Sequence, residues 1–294
     1  MRNLHEPLVS VLMTVYNRER YIADAIKSVL ASTYKNWELI IVDDRSNDTS
    51  LQIAKTFASQ EERIKVYLND MNLGDYPNRN KAASYAKGKY LKYVDADDMI
   101  YPYGLEQLVY YMEQYPSAGF GLCSIEQDEK CIFPFVLNSK ESYERHYIDK
   151  KSIFHKAPLS SIIRRDVFEE KKGFANVRHY GDYELWHRLA LDCSLVLMPH
   201  GIVWYRLSDG QEASIRKKNP MNALKTLMVG QDFINRQTCP LDNTCKKQVN
   251  LVYEKRISKL ILSQIKYSNF SKFKEMRKYY GIGYLGLVNN VLLK

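Results

Sequence analysis

Asp95-Ala96-Asp97-Asp98 places three carboxylates in four residues, directly after the apolar run Tyr90-Leu91-Lys92-Tyr93-Val94. Like charges this close repel, and each raises its neighbours' pKa unless something positive lies among them. A hard divalent cation carrying a phosphate group resolves the conflict, because carboxylate oxygens suit Mg²⁺ or Mn²⁺. The cluster therefore predicts a metal–nucleotide site at the carboxyl end of a strand. A turn or helix cap is the plainer alternative, but three acids exceed what a cap needs. A second acidic pair, Asp43-Asp44, closes the run Trp37-Glu38-Leu39-Ile40-Ile41-Val42. Alone it reads as a cap for the next helix, since acids are stabilising at a helix N-terminus.

The elements that must position these acids alternate. Leu8 to Val15 reads as a buried strand, and Tyr21 to Leu30 has helical apolar spacing. Trp37–Val42 is a second strand. Ser46-Asn47-Asp48-Thr49 offers N-cap residues for a helix to about Phe57. Ile64 to Leu68 is a third strand, Asn69 to Pro77 a loop, Arg79 to Ala86 a helix and Tyr90 to Val94 a fourth strand. Tyr101 to Tyr115 is helical. Strand–helix alternation implies an α/β fold with a mainly parallel, Rossmann-like sheet flanked by helices. Ligands of such sheets bind beyond the carboxyl ends of the strands. Three polar clusters fall there: Thr14-Val15-Tyr16-Asn17, Asp43-Asp44 and Asp95 to Asp98.

The second half is less regular. Phe120–Ile125 and Leu159–Arg165 read as strands, Asp182–Leu191 as a helix, and 138–151 as a charged, solvated excursion. After Ser214 the pattern is helical, over 222–235, 246–265 and 272–280. The expected organisation is a half that carries the three strand-end clusters (1–118), a less regular half (119–214) and a basic helical C-terminal extension (215–294).

Composition is that of an ordinary globular protein, with 45% hydrophobic and 26% charged residues among 294. No secretory signal and no run of about 18 apolar residues is visible, so neither export nor a membrane span is expected. Five scattered cysteines show neither zinc-ligand spacing nor a disulfide framework, which points to a reducing cytoplasm. The net charge of +9 is unevenly placed. Residues 215–294 hold 16 Lys+Arg and 4 Asp+Glu, leaving 27 basic and 30 acidic residues in the rest. Such an extension meets something anionic, or is a solvated tail whose lysines keep it soluble. It lacks a groove-reading motif, so nucleic acid is not expected. The apolar stretch from Tyr280 to Leu293 is too short to span a bilayer. It can lie in a membrane interface at the inner face, pack back on the protein or form a homodimer contact.

The ordered set Ser10–Asn17, Asp43-Asp44, Asp95–Asp98, Gly181-Asp182-Tyr183-Glu184-Leu185-Trp186-His187-Arg188 and Trp204-Tyr205-Arg206-Leu207-Ser208, with Gln211–Ser214, resembles glycosyltransferase family 2 across roughly residues 8–214. The resemblance implies a GT-A fold, a nucleotide-diphosphate sugar donor (a UDP-sugar by family default), Mn²⁺ or Mg²⁺, and inversion at the anomeric carbon. It also implies that 1–118 is the nucleotide-sugar-binding half and 119–214 the acceptor-binding half, with a carbohydrate or lipid-linked glycan acceptor and a role in surface polysaccharide assembly. Thr14, Tyr16 and Asn17 would line the nucleotide pocket, with Tyr16 near the base. Asp44 would bond the base edge and Asp43 would support that turn. Arg79 would approach the nucleotide, and Asp95 the ribose or sugar. Asp97 and Asp98 would hold the metal, and Asp182 would be the general base. Arg206, Ser208 and Lys217 would meet the diphosphate. Ser208 departs from the family, which often has histidine there, and a hydroxyl is the poorer metal ligand.

Two other readings compete. A sugar nucleotidyltransferase shares the fold type, but Thr14-Val15-Tyr16-Asn17-Arg18 has no glycine to cradle a triphosphate. A catalytically degenerate nucleotide-sugar-binding subunit is consistent with Ser208 but not with intact Asp97, Asp98 and Asp182. Glu184 and His187, spaced i,i+3, lack further metal ligands and read as packing or surface residues.

Overall fold

The computed structural model describes residues 6–207 and 219–292. In chain order the elements are β1 (Val9–Val15), α1 (Ile22–Leu30), β2 (Trp37–Asp43), α2 (Ser50–Ala58), β3 (Ile64–Leu68), α3 (Asp75–Ala83), β4 (Tyr90–Tyr93), β5 (Met99–Ile100), α4 (Gly104–Gln114) and β6 (Phe120–Ile125). There follow β7 (Phe135–Leu137), α5 (Ser139–Tyr143), β8 (Ser161–Arg164), α6 (Arg165–Glu170), α7 (Gly181–Asp192), β9 (Leu195–Pro199) and β10 (Val203–Trp204). Among the described residues four helices follow: α8 (Pro220–Asn235), α9 (Asn243–Lys266), α10 (Phe270–Tyr280) and α11 (Tyr284–Leu292). The described residues form two units, one of residues 6–142 and 153–207, the other of 143–152 and 219–292.

The first unit is built on an eight-stranded sheet in the order β3-β2-β1-β4-β8-β6-β9-β7. The pairs β3–β2, β2–β1, β1–β4 and β6–β9 are parallel, and β8 and β7 run antiparallel to their neighbours. The expected mainly parallel α/β sheet is present. β1 is buried along nearly its whole length on both faces, as a central strand covered by helices must be. The chain winds from β1 through β2 to β3 and then returns to place β4 on the other side of β1. That reversal opens a crevice at the carboxyl ends of β1 and β4, the usual ligand position in such sheets. The three polar clusters read from the sequence follow β1, β2 and β4, around this crevice.

Two expectations need correction. The helix expected to begin at Arg79 begins at Asp75, because Pro77 sits in its first turn, where no backbone N–H is required. Residues 138–151 are not a solvated excursion. They form α5 and a π-helical turn, Glu144–Ile148, in which Tyr143, His146 and Tyr147 are buried. These three are spaced i, i+3 and i+4, so they share one face.

The second unit has its own core of Met221, Leu224, Ile257, Ile261, Phe273, Met276 and Leu287. Tyr147 donates its hydroxyl to the Gly230 carbonyl at 3.1 Å within it. Among the described residues no helix is long and apolar enough to cross a membrane. The expected boundary at 214/215 lies outside the described residues, as do Gln211–Ser214.

Candidate active site

The turns after β1 and β2 are tied to each other. Asn17 adopts φ 53°, a left-handed conformation that asparagine tolerates. Its N–H donates to Ser46 Oγ at 3.0 Å, and its Oδ1 accepts from the Asn47 N–H at 2.8 Å. Thr14 is partly buried on β1 and Tyr16 is exposed beyond it. Asp43 ends β2, and its Oδ1 accepts the Ser46 N–H at 2.8 Å. Its Oδ2 is buried with no hydrogen-bond partner among the described residues. Asp44 is also buried, with donors on both of its oxygens. Oδ1 accepts from Asn69 Nδ2 (2.7 Å) and the Leu73 N–H (2.8 Å), and Oδ2 from the Gly74 N–H (2.9 Å). Asp44 thus shapes the loop that leads into α3.

α3 is a polar helix with a buried face: Tyr76, Asn78, Arg79, Ala82 and Ala83. Each polar member of that face joins a different part of the site. Asn78 donates to the Val42 carbonyl of β2 at 3.2 Å. Arg79 forks onto Asp95, Nη1 to Oδ1 at 2.6 Å and Nη2 to Oδ2 at 3.0 Å, while its Nε bonds Asp75 at 2.8 Å. Tyr76 packs on Gly181, the first residue of α7. A Cβ at Gly181 would lie 2.8 Å from Tyr76 ring carbons. One helix therefore places both the acid cluster after β4 and the start of the helix that carries Asp182.

Asp95–Asp98 form a turn, with the Asp98 N–H donating to the Asp95 carbonyl at 2.9 Å. β5 follows at once and pairs antiparallel with β10, which brings Arg206 to the cluster. The Arg206 N–H donates to Asp98 Oδ1 at 2.9 Å, and its Nε to the Asp97 carbonyl at 3.0 Å. Its guanidinium also lies against the rings of Tyr21 (4.9 Å) and Trp204 (5.0 Å). Burial, together with the charges of Asp95 and Asp97, pushes the Asp98 carboxyl up to about 8.

Two basic residues join the cluster that the motif reading did not include. Arg18, after β1, donates Nε to Asp97 Oδ2 at 3.0 Å and Nη1 to the carbonyls of Tyr16 and Asn17. Lys92, in the middle of β4, is fully buried, with its Nζ donating to the carbonyls of Leu159 and Ser161. Burial lowers Lys92 to about 8, against the pull of Cys123, Asp95 and Asp98. Arg18 was legible as a charged residue in a strand-end turn, whereas Lys92 had no signal beyond a cation within an apolar strand.

Asp182 lies in the first turn of α7, where its Oδ1 accepts from the Tyr183 N–H at 2.7 Å. Glu184 forks onto Arg188 at 2.8 and 2.9 Å, and buried His187 sits 2.7 Å from the Tyr183 carbonyl. The structure thus gathers Asp95, Asp97, Asp98, Arg79 and Arg206 in one place. Ser208 and Lys217 lie outside the described residues.

Asp97 and Asp98 fit a divalent cation. Among the described residues no group of three metal-ligating side chains forms. A Mg²⁺-type ion does not need one, because it takes one or two carboxylates and completes its shell with substrate phosphates and water. The raised proton affinity of Asp98 and the Arg18 guanidinium on Asp97 mark negative charge that a cation would relieve.

A family model described as glycosyl transferase family 2 matches residues 10–171, more than half of the chain. The chain belongs to this family. It is a glycosyltransferase. An Escherichia coli relative named UDP-Glc:alpha-D-GlcNAc-diphosphoundecaprenol beta-1,3-glucosyltransferase WfgD is 30% identical over 72% of this chain and 81% of its own length. Two other glycosyltransferase relatives are matched over about two thirds of their length, 68% and 66%. Staphylococcus aureus TarS 1–349 in complex with UDP-GlcNAc superposes with a TM-score of 0.66 at 16% identity, covering 94% of this chain and 93% of that one. The Pyrobaculum calidifontis mannosyltransferase PcManGT, in complex with GDP-Man and Mn²⁺, gives 0.64 at 14% identity over 98% and 87%. These likenesses establish the GT-A fold of this glycosyltransferase.

Proposed function

We propose that this glycosyltransferase moves a sugar from a UDP-sugar to a hydroxyl of a glycan or lipid-linked glycan, with inversion and with a divalent metal. The observation that carries the reading is the buried Asp95–Asp98 turn in the switch-point crevice, with Asp98 held up to about 8 and cations already on its neighbours. A glucosyltransferase whose name specifies a diphosphoundecaprenol acceptor, and a fold neighbour that binds UDP-GlcNAc, support the donor and acceptor classes. A role in surface polysaccharide assembly follows from the same relative. Five free cysteines support a reducing, cytoplasmic setting.

The nucleotide would enter between the turns after β1 and β2. Tyr16 offers an exposed ring to the base, and Thr14 and Asn17 form the wall beside it. The unpartnered Asp43 Oδ2 would accept a donor from the nucleotide, as would the remaining lone pair on Asp44 Oδ2. Arg79 orients Asp95 toward the ribose or sugar. Asp97 and Asp98 would hold the divalent cation, which supplies Lewis-acid stabilisation of the leaving diphosphate. Arg18 and Arg206 set positive charge around the same place, where negative charge grows as the glycosidic bond breaks. Asp182 takes the proton from the acceptor hydroxyl as that oxygen attacks from the opposite face. One base and one displacement give inversion.

The test uses purified protein, a panel of UDP- and GDP-sugars, a glycan-lipid acceptor and Mn²⁺. Transfer should need the metal, and Asp182→Asn should lower kcat by about 10²–10⁴-fold with donor binding retained. Undiminished transfer by that variant removes Asp182 as the base.

A further inference from the structure

The C-terminal unit carries a cavity and a helix face that sugar transfer does not use. The last turns of α10 present Lys274, Arg277 and Lys278, and Gly281, at φ 76°, turns the chain toward α11. These residues, with Ile282, Gly283 and Tyr284, wall a cavity of ≈ 530 Å³. Lys272 is neutralised by Glu275 at 2.9 Å, whereas Lys274 and Lys278 form no ion pair among the described residues. Arg277 is fixed in place by a bond from Nη1 to the Ile282 carbonyl (3.1 Å) and by the Tyr284 ring 4.3 Å away. Its Nε is buried with no acceptor among the described residues. Three cations around one cavity suit an anion with several oxygens, as phosphate groups have.

The helix at the mouth of this cavity has the opposite character. α11 contains no charged residue and buries only Leu287. Tyr284, Leu285, Val288 and Leu292 are exposed, Leu285 by 81% and Leu292 by 71%. Spaced i, i+1, i+4 and i+8, they fall within about 100° of the helix circumference. A free phosphate would need no such face. An anionic lipid surface needs both parts, a cationic cavity that admits a headgroup phosphate and an adjoining apolar strip. Residues 215–294 hold 16 basic and 4 acidic residues, the complementary charge.

We propose that α10 and α11 dock this protein on an anionic bilayer. The Tyr284–Leu292 face enters the interface and the Lys274–Arg277–Lys278 cavity takes a lipid phosphate. The proposal stands apart from the transfer reading, since neither part belongs to the site after β4.

Co-sedimentation of the full chain with vesicles of phosphatidylcholine, alone or mixed with phosphatidylglycerol, tests it. Binding should require the anionic lipid and weaken with salt. Lys274→Glu with Lys278→Glu should weaken it by about tenfold or more, since each lysine near such a surface is worth roughly fivefold. Leu285→Glu with Leu292→Glu should weaken it comparably while leaving the cationic cavity intact. All four side chains are exposed, and circular dichroism and donor binding should match the unaltered protein. Equal binding to neutral vesicles, or undiminished binding by both variants, overturns the proposal. So does thermal stabilisation by inorganic phosphate without any vesicle binding, which would mark a simple anion site. Self-association abolished by Leu285→Glu, again without vesicle binding, would mark a contact between copies and likewise overturn it.

Discussion

Two pairs of adjacent aspartates, Asp43-Asp44 and Asp97-Asp98, stand at the carboxyl ends of the strands that flank β1, and Asp44 differs from the second pair in the donors that surround it. Asp44 accepts two backbone N–H groups and a side-chain amide, all neutral donors that fix the loop before α3. Asp97 instead meets the Arg18 guanidinium, and Asp98, with one backbone N–H from Arg206, is buried among like charges that hold its proton up to about 8. Carboxylates satisfied by backbone donors build structure. Carboxylates left in mutual repulsion, offset by a guanidinium on one and a single backbone donor on the other, are suited to take up a cation.

The largest effect that can break this contrast is catalytic. Asp97→Asn should lower transfer by about 10²–10³-fold, the size expected when one group stabilising transition-state charge is lost. Its melting temperature should stay close to that of the unaltered protein, because the pair with partly exposed Arg18 is worth little. A variant that is active but unstable would reverse the roles assigned to the two pairs.

Asp44→Ala sharpens the other side. It strands the Leu73 and Gly74 N–H groups and weakens the Asn69 tie, so it should cost about 2–4 kcal/mol of stability. Thermal or denaturant unfolding reads this directly. A stability unchanged by this substitution would mean that Asp44 does not hold the loop.

The pH dependence comes next. The folded pKa of Asp98 lies above its ordinary value of 3.8, at about 8, so the folded state binds that proton more tightly. The associated stability is complete below about pH 4 and is lost as pH rises through about 8. In metal-free buffer Asp98→Asn should therefore gain on the unaltered protein across that window, by on the order of a few kcal/mol. A difference in melting temperature that stays flat from about pH 5 to 8 would show that Asp98 is not under this strain.

The smallest effect concerns Arg18. Its guanidinium occupies Asp97 Oδ2, so Arg18→Ala should tighten Mn²⁺ binding in the absence of nucleotide, by about fivefold. Calorimetric titration of Mn²⁺ decides it, and equal affinities would show that Arg18 does not compete for Asp97.

The sequence made the strands around β1 readable, because uniformly apolar runs ending in acids report both a buried parallel strand and what lies at its tip. α3 was misplaced because Asp75-Tyr76-Pro77-Asn78-Arg79-Asn80 has no apolar stripe. It is buried by polar bonds to Val42, Asp95 and the Phe174 backbone, partners 16 to 94 residues away. The excursion at 138–151 failed for a related reason: its charges hid Tyr143, His146 and Tyr147 on one face. Asp97, Asp98 and Asp182 could be named from motifs. The approach of Arg18 and Arg206 to the acids depends on turn geometry and on the pairing of β5 with β10, which are tertiary facts.

The central claim is that Asp97 and Asp98 hold a metal-bound nucleotide diphosphate. Titration of UDP into the protein with and without Mn²⁺, repeated with Asp97→Asn, tests it most directly. The account predicts metal-dependent binding of UDP by the unaltered protein and loss of that dependence in the variant. UDP binding of equal strength with and without Mn²⁺, or an unchanged metal dependence in Asp97→Asn, would contradict it.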